Sequence, residues 1–68
     1  MNIIGKKVRE LRKEKGLTQS ELTAKCNLIG FDISRSTLAK IEAQVRQVLD
    51  IEVSYLAKAL DIKEGELF

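Results

Sequence analysis

The chain has 68 residues with a formal net charge of +2, and it contains one cysteine, Cys26, and no histidine. A chain of this length buries about 60% of its unfolded surface, so we expect a single small domain over residues 1–68. The lone cysteine excludes an internal disulfide, and we interpret it as a small buried hydrophobe. Without a secretory signal or an apolar run near the roughly 18 residues of a membrane span, the sequence predicts a cytoplasmic protein with no membrane partner.

The first predicted helix covers residues 2–15. Ile4, Val8 and Leu11 stand at the i, i+4, i+7 spacing that places apolar side chains on one face of a helix. Gly16 follows as the residue that takes the left-handed conformation and ends the helix.

Charge is unevenly distributed along the chain. Residues 1–16 carry six lysines and arginines against two glutamates, which gives +4, whereas residues 50–68 carry two lysines against five acids, which gives −3. One end therefore suits a polyanion and the other repels it. The basic residues of the first helix form either a solvated surface or contacts with such a polyanion.

The second predicted helix begins at Thr18. Its hydroxyl can accept from the backbone N–H of Glu21 while the Glu21 carboxylate reaches back, which is the capping-box arrangement. Residues 28–29 either extend this helix until Gly30 ends it or belong to an ordered loop. Two apolar residues four positions apart point to the core, Leu22 and Cys26.

Two further helices and a short turn complete the chain. Ser34 is predicted to cap the third helix, whose apolar stripe consists of Leu38, Ile41 and Val45. Asp50 is predicted to cap the fourth helix, with buried Ile51, Leu56 and Leu60. Asp61 is predicted to cap a last turn over residues 62–67. The fold class is therefore all-α, a compact bundle of four to five helices.

Catalysis is not expected. The chain lacks histidine, carboxylates paired in an apolar setting and a glycine-rich phosphate loop. A core this small also leaves little room for a concave site. We therefore predict no enzymatic activity, no catalytic residues, no metal site, no cofactor and no small-molecule ligand.

The start of the third helix carries polar side chains that suit the major groove of DNA. Arg35 can donate to guanine N7 and O6, and Lys40 lies one turn beyond Ser36. Ser36 and Thr37 either contact base edges or phosphates or form an ordinary exposed first turn. For Ser34, capping the helix is compatible with DNA contact.

Residues flanking this helix suit the DNA backbone. Gln19 stands in the first turn of the second helix, where its amide and the exposed backbone N–H groups after Thr18 favour a phosphate. Arg46, in the loop after the third helix, is a further candidate for a phosphate contact.

Together these segments closely resemble the Cro/cI-type helix-turn-helix family, also called the Xre family. The resemblance covers nearly the whole chain, and its matching segments are 4–15, 16–22, 34–42, 56–62 and 67–68.

The resemblance implies a lambda-repressor-like domain of five helices that binds double-stranded DNA, usually as a homodimer on a two-fold-symmetric operator. By position, Gln19 matches the family's phosphate-contacting glutamine. The family's base-reading positions correspond to Arg35, Ser36 and Lys40. Arg12 and Glu42 match a pair that commonly forms a structural salt bridge between the first and third helices.

The chain departs from the family pattern in two places. Residues 27–31 look inserted between the second and third helices, and Asp32 stands where the family has a glycine, so we expect a lengthened turn with added core contacts. The second departure follows Glu42, where Ala43 and Gln44 replace a region in which glycine is common.

We therefore interpret the chain as a sequence-specific DNA-binding regulator of transcription. A protein–protein adaptor or antitoxin-like module with the same fold is the alternative. Some apolar residues beyond the needs of a small core are candidates for a dimer face: Val45, Val48, Leu49, Tyr55, Leu67 and Phe68.

Overall fold

A computed structural model describes residues 3–68, and the side chains from residue 4 onward. Four α-helices are followed by one 3-10 helix, and this part of the chain forms no strand, which confirms the predicted all-helical bundle. Its Cα radius of gyration is 10.3 Å. The helices are α1 (Ile3–Glu14), α2 (Gln19–Leu28), α3 (Arg35–Glu42) and α4 (Asp50–Leu60), and the 3-10 helix is Glu64–Leu67.

Helix α1 ends as its glycine predicts. Gly16 has a φ of +71°, and the backbone N–H of Leu17 donates to the carbonyl of Arg12 at 3.0 Å, which closes the last turn. Lys15, predicted to be helical, lies in this turn. The predicted start at Asn2 lies outside the described residues.

The two possibilities for the end of α2 are now resolved. The helix includes Leu28 and stops at Ile29, because Gly30 takes a φ of +96° and the N–H of Phe31 donates back to the carbonyl of Cys26 at 2.9 Å. The residues that looked inserted therefore lengthen α2 by less than one turn and then form a connection from residue 29 to residue 34.

The core contains one aromatic residue from this connection. The ring of Phe31 stacks on that of Tyr55 in α4, with centroids 5.2 Å apart and planes 12° apart. Leu28, by contrast, is 86% exposed, so only part of the segment that looks inserted in the sequence packs in the core. The buried cluster comprises Val8, Leu22, Cys26, Phe31, Leu38, Val53, Leu56, Ala57, Ala59, Leu60 and Leu67.

Burial raises the pKa of the Cys26 thiol to about 11, because the thiolate loses hydration in the apolar core. The interpretation of Cys26 as a core residue is confirmed, since it has no exposed surface.

Helix α3 ends with a residue that the sequence did not suggest for this role. Gln44 has a φ of +65°, and the N–H of Val45 donates to the carbonyl of Lys40 at 3.1 Å. Gln44 thus occupies the left-handed position that glycine fills most easily.

The predicted start of α4 is wrong by one residue. Leu49 is the N-cap, and the Glu52 carboxylate accepts from the Leu49 backbone N–H at 3.0 Å, so Asp50 is already inside the helix. Ile51 is 61% exposed and not buried, because it lies far around the helix from Val53 and Leu56, which face the core.

The end of the chain differs from prediction in a similar way. Asp61 ends α4 in the left-handed conformation, with a φ of +59°, and does not cap the last turn; Lys63 precedes the 3-10 helix. Leu67, a predicted dimer-face candidate, has no exposed surface and completes the core. Among the described residues, no helix has the length and apolar character that a membrane crossing needs.

We expect Gln44→Gly to raise the free energy of unfolding by about 1 kcal/mol, because glycine adopts a positive φ without the steric cost of a side chain. Urea denaturation measures the change. Gln44→Ala is the matched control, since it removes the same side chain but keeps Cβ. Equal stability of the two variants would contradict the strain at this position.

Candidate nucleic-acid interface

Two helix starts meet on one side of the molecule. Thr18 caps α2, its hydroxyl accepting from the Glu21 N–H at 3.0 Å while the Glu21 carboxylate accepts from the Thr18 N–H at 2.8 Å. Hydrogen bonding to the Glu21 carboxylate, first from the Thr18 backbone N–H and then from the Thr18 side chain, holds the pKa of Glu21 below its ordinary value. The predicted capping box is confirmed, and the Thr18 hydroxyl is engaged in it.

A buried carboxylate lies behind these helix starts. Glu42, near the end of α3, accepts from Arg12 Nε at 2.8 Å and from another guanidinium nitrogen of Arg12 at 3.0 Å. Both residues are buried. Arg12 also donates to the backbone carbonyl of Leu17 at 2.7 Å, so a single guanidinium ties together α1, the turn before α2 and α3.

Gln19 extends this ion pair to the surface. Its Nε2 donates to Glu42 at 3.2 Å, and its Oε1 accepts from an Arg35 guanidinium nitrogen at 3.4 Å. The hydrogen bond to Glu42 fixes which end of the Gln19 amide faces Arg35. A guanidinium has several donors, so one long contact to Gln19 leaves others for a ligand.

Hydroxyl groups cluster at the start of α3. Ser34 caps the helix by accepting from the Thr37 N–H at 3.1 Å, as predicted. The Ser34 hydroxyl also lies 3.1 Å from that of Ser36 and 3.0 Å from that of Thr37. Together with exposed Arg35, they form a polar, donor-rich helix end.

Lys40 is exposed on α3, one turn after Ser36, on the side away from buried Leu38 and Ile41. We define the reading face as Arg35, Ser36, Thr37 and Lys40. It is polar and largely exposed, which suits the surface of a duplex better than a small molecule.

Arg46, a predicted phosphate contact, forms an ion pair within the protein. Two of its guanidinium nitrogens donate to the two carboxylate oxygens of Glu52, at 2.9 Å and 2.7 Å. This pairing lowers the pKa of Glu52 and raises that of Arg46. Arg46 lies beside Ser34 and Thr37 in an open depression, so it is near the reading face, but its charge is paired with Glu52.

Two hydrogen bonds from one side chain hold the connection between α2 and α3. The Asn27 side-chain amide donates to the carbonyl oxygens of Phe31 and Ile33, at 3.0 Å and 3.1 Å. Ile33 immediately precedes the cap residue Ser34, so this amide ties the last turn of α2 to the start of α3.

The sequence had indicated the two helix caps and the Arg12–Glu42 pair, and the structure contains all three. It brings Gln19 and Arg35 together, and it places Lys40 further along α3. Sequence reasoning missed three contacts: those of Gln19 with Glu42, Asn27 with the connection and Arg46 with Glu52. The Arg46–Glu52 pair had a weak signal, because glutamate in the first turn commonly reaches back to the residues before a helix.

Comparisons with known proteins agree with this geometry. A family described as helix-turn-helix matches residues 8–67. Among solved structures, the fold is similar to the high-resolution crystal structure of the restriction-modification controller protein C.AhdI from Aeromonas hydrophila, with a TM-score of 0.85 and 36% sequence identity. That alignment covers 98% of this chain and 94% of the other. A search of curated protein sequences finds no match.

We expect the Arg12–Glu42 pair to show strong coupling in a double-mutant cycle. Arg12→Met or Glu42→Leu alone leaves a buried charge without its partner and costs about 3 kcal/mol or more of unfolding free energy. The double variant removes both charges, so it should be destabilised by less than the sum of the single variants. Urea denaturation measures all four proteins, and additive losses would contradict the coupling.

Proposed function

Because the chain belongs to the Cro/cI-type (Xre) helix-turn-helix family of DNA-binding transcription regulators, we propose that it binds specific double-stranded DNA sequences with α3 in the major groove. The observation that carries the proposal is the junction of the two helix starts, where Gln19 of α2 contacts Arg35 of α3. In this family of motifs the first of the two helices crosses the DNA backbone and the second reads the bases.

Each residue of the interface then has a distinct role. Arg35 donates to guanine, and Ser36 and Thr37 contact base edges or phosphates next to it. Lys40 follows one turn along the same helix. Gln19 donates to a phosphate at the start of α2, where backbone N–H groups favour an anion.

The remaining residues of the interface also form hydrogen bonds within the protein. The Thr18 and Ser34 hydroxyls cap their helices and can still donate to a phosphate, because a hydroxyl accepts and donates at once. A phosphate contact by Arg46 would form beside its ion pair with Glu52. Arg12 and Glu42 support the interface from behind without touching DNA.

We also propose that the protein acts as a dimer on a two-fold-symmetric operator. Support comes from large apolar side chains that are 59% to 75% exposed: Val45, Leu49, Ile51 and Phe68. The first three belong to the α3–α4 loop and the first turn of α4. A two-fold axis would place the two α3 helices about 34 Å apart, one turn of DNA.

The similarity to a restriction-modification controller protein extends the proposal to the genes that are regulated. We propose that this chain controls transcription of restriction-modification genes. Selection of bound fragments from genomic DNA of the source organism tests this, and it also supplies the operator. The proposal expects fragments upstream of an endonuclease or methyltransferase gene, and fragments elsewhere would contradict it.

We expect Arg35→Ala to weaken binding to the selected operator by about 5- to 150-fold, the effect of losing one bidentate base contact. Arg35→Lys keeps the charge but loses the planar pair of donors, so it should lose specificity and retain affinity for unrelated DNA. Fluorescence anisotropy with labelled duplexes, repeated at several salt concentrations, gives both affinities.

Lys40→Ala should also weaken binding, whereas Lys58→Ala is the matched control because Lys58 is an exposed lysine on α4 near the acidic end of the chain. Affinity that is flat with salt, together with no effect of Arg35→Ala or Lys40→Ala, would contradict DNA binding and favour a protein–protein adaptor.

We expect the free protein to sediment as a dimer at tens of micromolar, and Leu49→Glu to shift it towards monomer. Leu28→Glu is the matched control. Leu28 is also apolar and exposed, but it belongs to α2 and not to the α3–α4 loop. A monomer both with and without operator DNA would contradict the dimer.

A further inference from the structure

The reading face is attached to the rest of the interface through the connection between α2 and α3, and Asn27 holds that connection. Its amide donates to two backbone carbonyls in the connection, those of Phe31 and Ile33. Both hydrogens of one NH₂ group are used, which a hydroxyl or a carboxylate cannot reproduce.

Other hydrogen bonds and a stacked ring hold the first half of the same connection, and the Ile33 side chain in the second half packs against the core. The N–H of Phe31 donates to the carbonyl of Cys26, and the Phe31 ring is buried against Tyr55. These contacts hold the chain up to residue 31. Beyond it, the N–H of Ile33 donates to the carbonyl of Phe31, which folds the backbone around exposed Asp32. The Asn27 amide adds a side-chain hydrogen bond that links this second half back to α2.

The position of Ile33 makes the link relevant to DNA. Ile33 is followed by the cap Ser34 and then by Arg35, so a shift of the Ile33 carbonyl moves the first turn of α3 relative to α2. The contact between Arg35 and Gln19, at 3.4 Å, spans the same two helices and depends on the same relative placement. Displacements near 1 Å are enough to lose a directional contact such as a bidentate hydrogen bond to a base.

We propose that Asn27 is a positioning residue for DNA sequence recognition: through its two hydrogen bonds it sets how α3 presents Arg35 and Ser36 to base edges, without touching DNA itself. This inference rests on the proposed function. Asn27 is exposed, so it contributes to the placement of α3 more than to the stability of the core.

The test compares Asn27→Ala and Asn27→Asp with matched changes at the neighbouring residue, Leu28→Ala and Leu28→Asp. Asparagine and aspartate have nearly the same shape, but an ionised carboxylate cannot donate to the two carbonyls. Leu28→Ala matches the truncation in Asn27→Ala, and Leu28→Asp matches the added charge in Asn27→Asp. Leu28 is the next residue in the chain, and its side chain is 86% exposed.

The readout is the ratio of affinities for the selected operator and for an unrelated duplex of equal length, measured by anisotropy on the full chain. We expect both Asn27 variants to reduce this ratio by roughly tenfold, the equivalent of about one base contact. The affinity of each Asn27 variant for unrelated DNA should equal that of its matched Leu28 variant. Backbone amide chemical shifts of residues 34–37 should change in Asn27→Ala and stay near wild type in Leu28→Ala.

A ratio within twofold of wild type in folded Asn27 variants overturns the positioning role and leaves the proposed function intact. A wild-type protein that prefers no DNA sequence overturns both. If Asn27→Ala does not fold, Asn27→Ser, which keeps one donor, replaces it under the same criteria. Loss of both affinities together with the circular dichroism signal in Asn27→Asp and Asn27→Ser as well would show a purely structural residue and also overturn the proposal.

Discussion

The structure depends on one buried carboxylate. Glu42 has two partners that belong to other elements, Arg12 in α1 and Gln19 at the start of α2, and all three side chains meet within ordinary hydrogen-bond distance. A buried charge without such partners is costly, so the three elements must come together in one arrangement for Glu42 to be satisfied. Among the described residues, no buried side-chain nitrogen or oxygen is left without a hydrogen-bond partner.

This constraint connects the interior to the interface. Gln19 cannot turn its amide around without losing Glu42, and its oxygen therefore faces Arg35. A side chain expected to read a base is thus oriented by a series of hydrogen bonds that begins in the protein interior. Such support reduces the conformational entropy that a long, exposed arginine loses when it binds.

Three kinds of contact hold the connection between α2 and α3, next to the proposed binding surface. Gly30 ends α2, Phe31 is buried against Tyr55, and Asn27 bonds the residues that follow. These residues are held by backbone, aromatic and amide contacts, and the two helix starts meet on one face. A comparable accommodation occurs after α3, where Gln44 takes a left-handed conformation because the chain must turn there, although no glycine is present.

The sequence by itself determined the helices, because their signals are local. Hydroxyl caps at Thr18 and Ser34, the glycine at position 16 and the spacing of apolar residues each act within one or two turns of chain. It also indicated the Arg12–Glu42 pair through family resemblance, and the polar residues at the start of α3.

Only the tertiary structure decided which of several plausible local partners each residue takes. Asp50 and Leu49 are both possible N-caps of α4. Leu49 takes this position, because the Glu52 carboxylate accepts from the Leu49 N–H and is itself held by Arg46. Leu67 and Ile51 are both apolar, yet one is in the core and the other on the surface, because packing between helices selects the buried face. The contacts of Gln19 and Asn27 join segments whose relative placement depends on the whole bundle, and no local pattern encodes that placement.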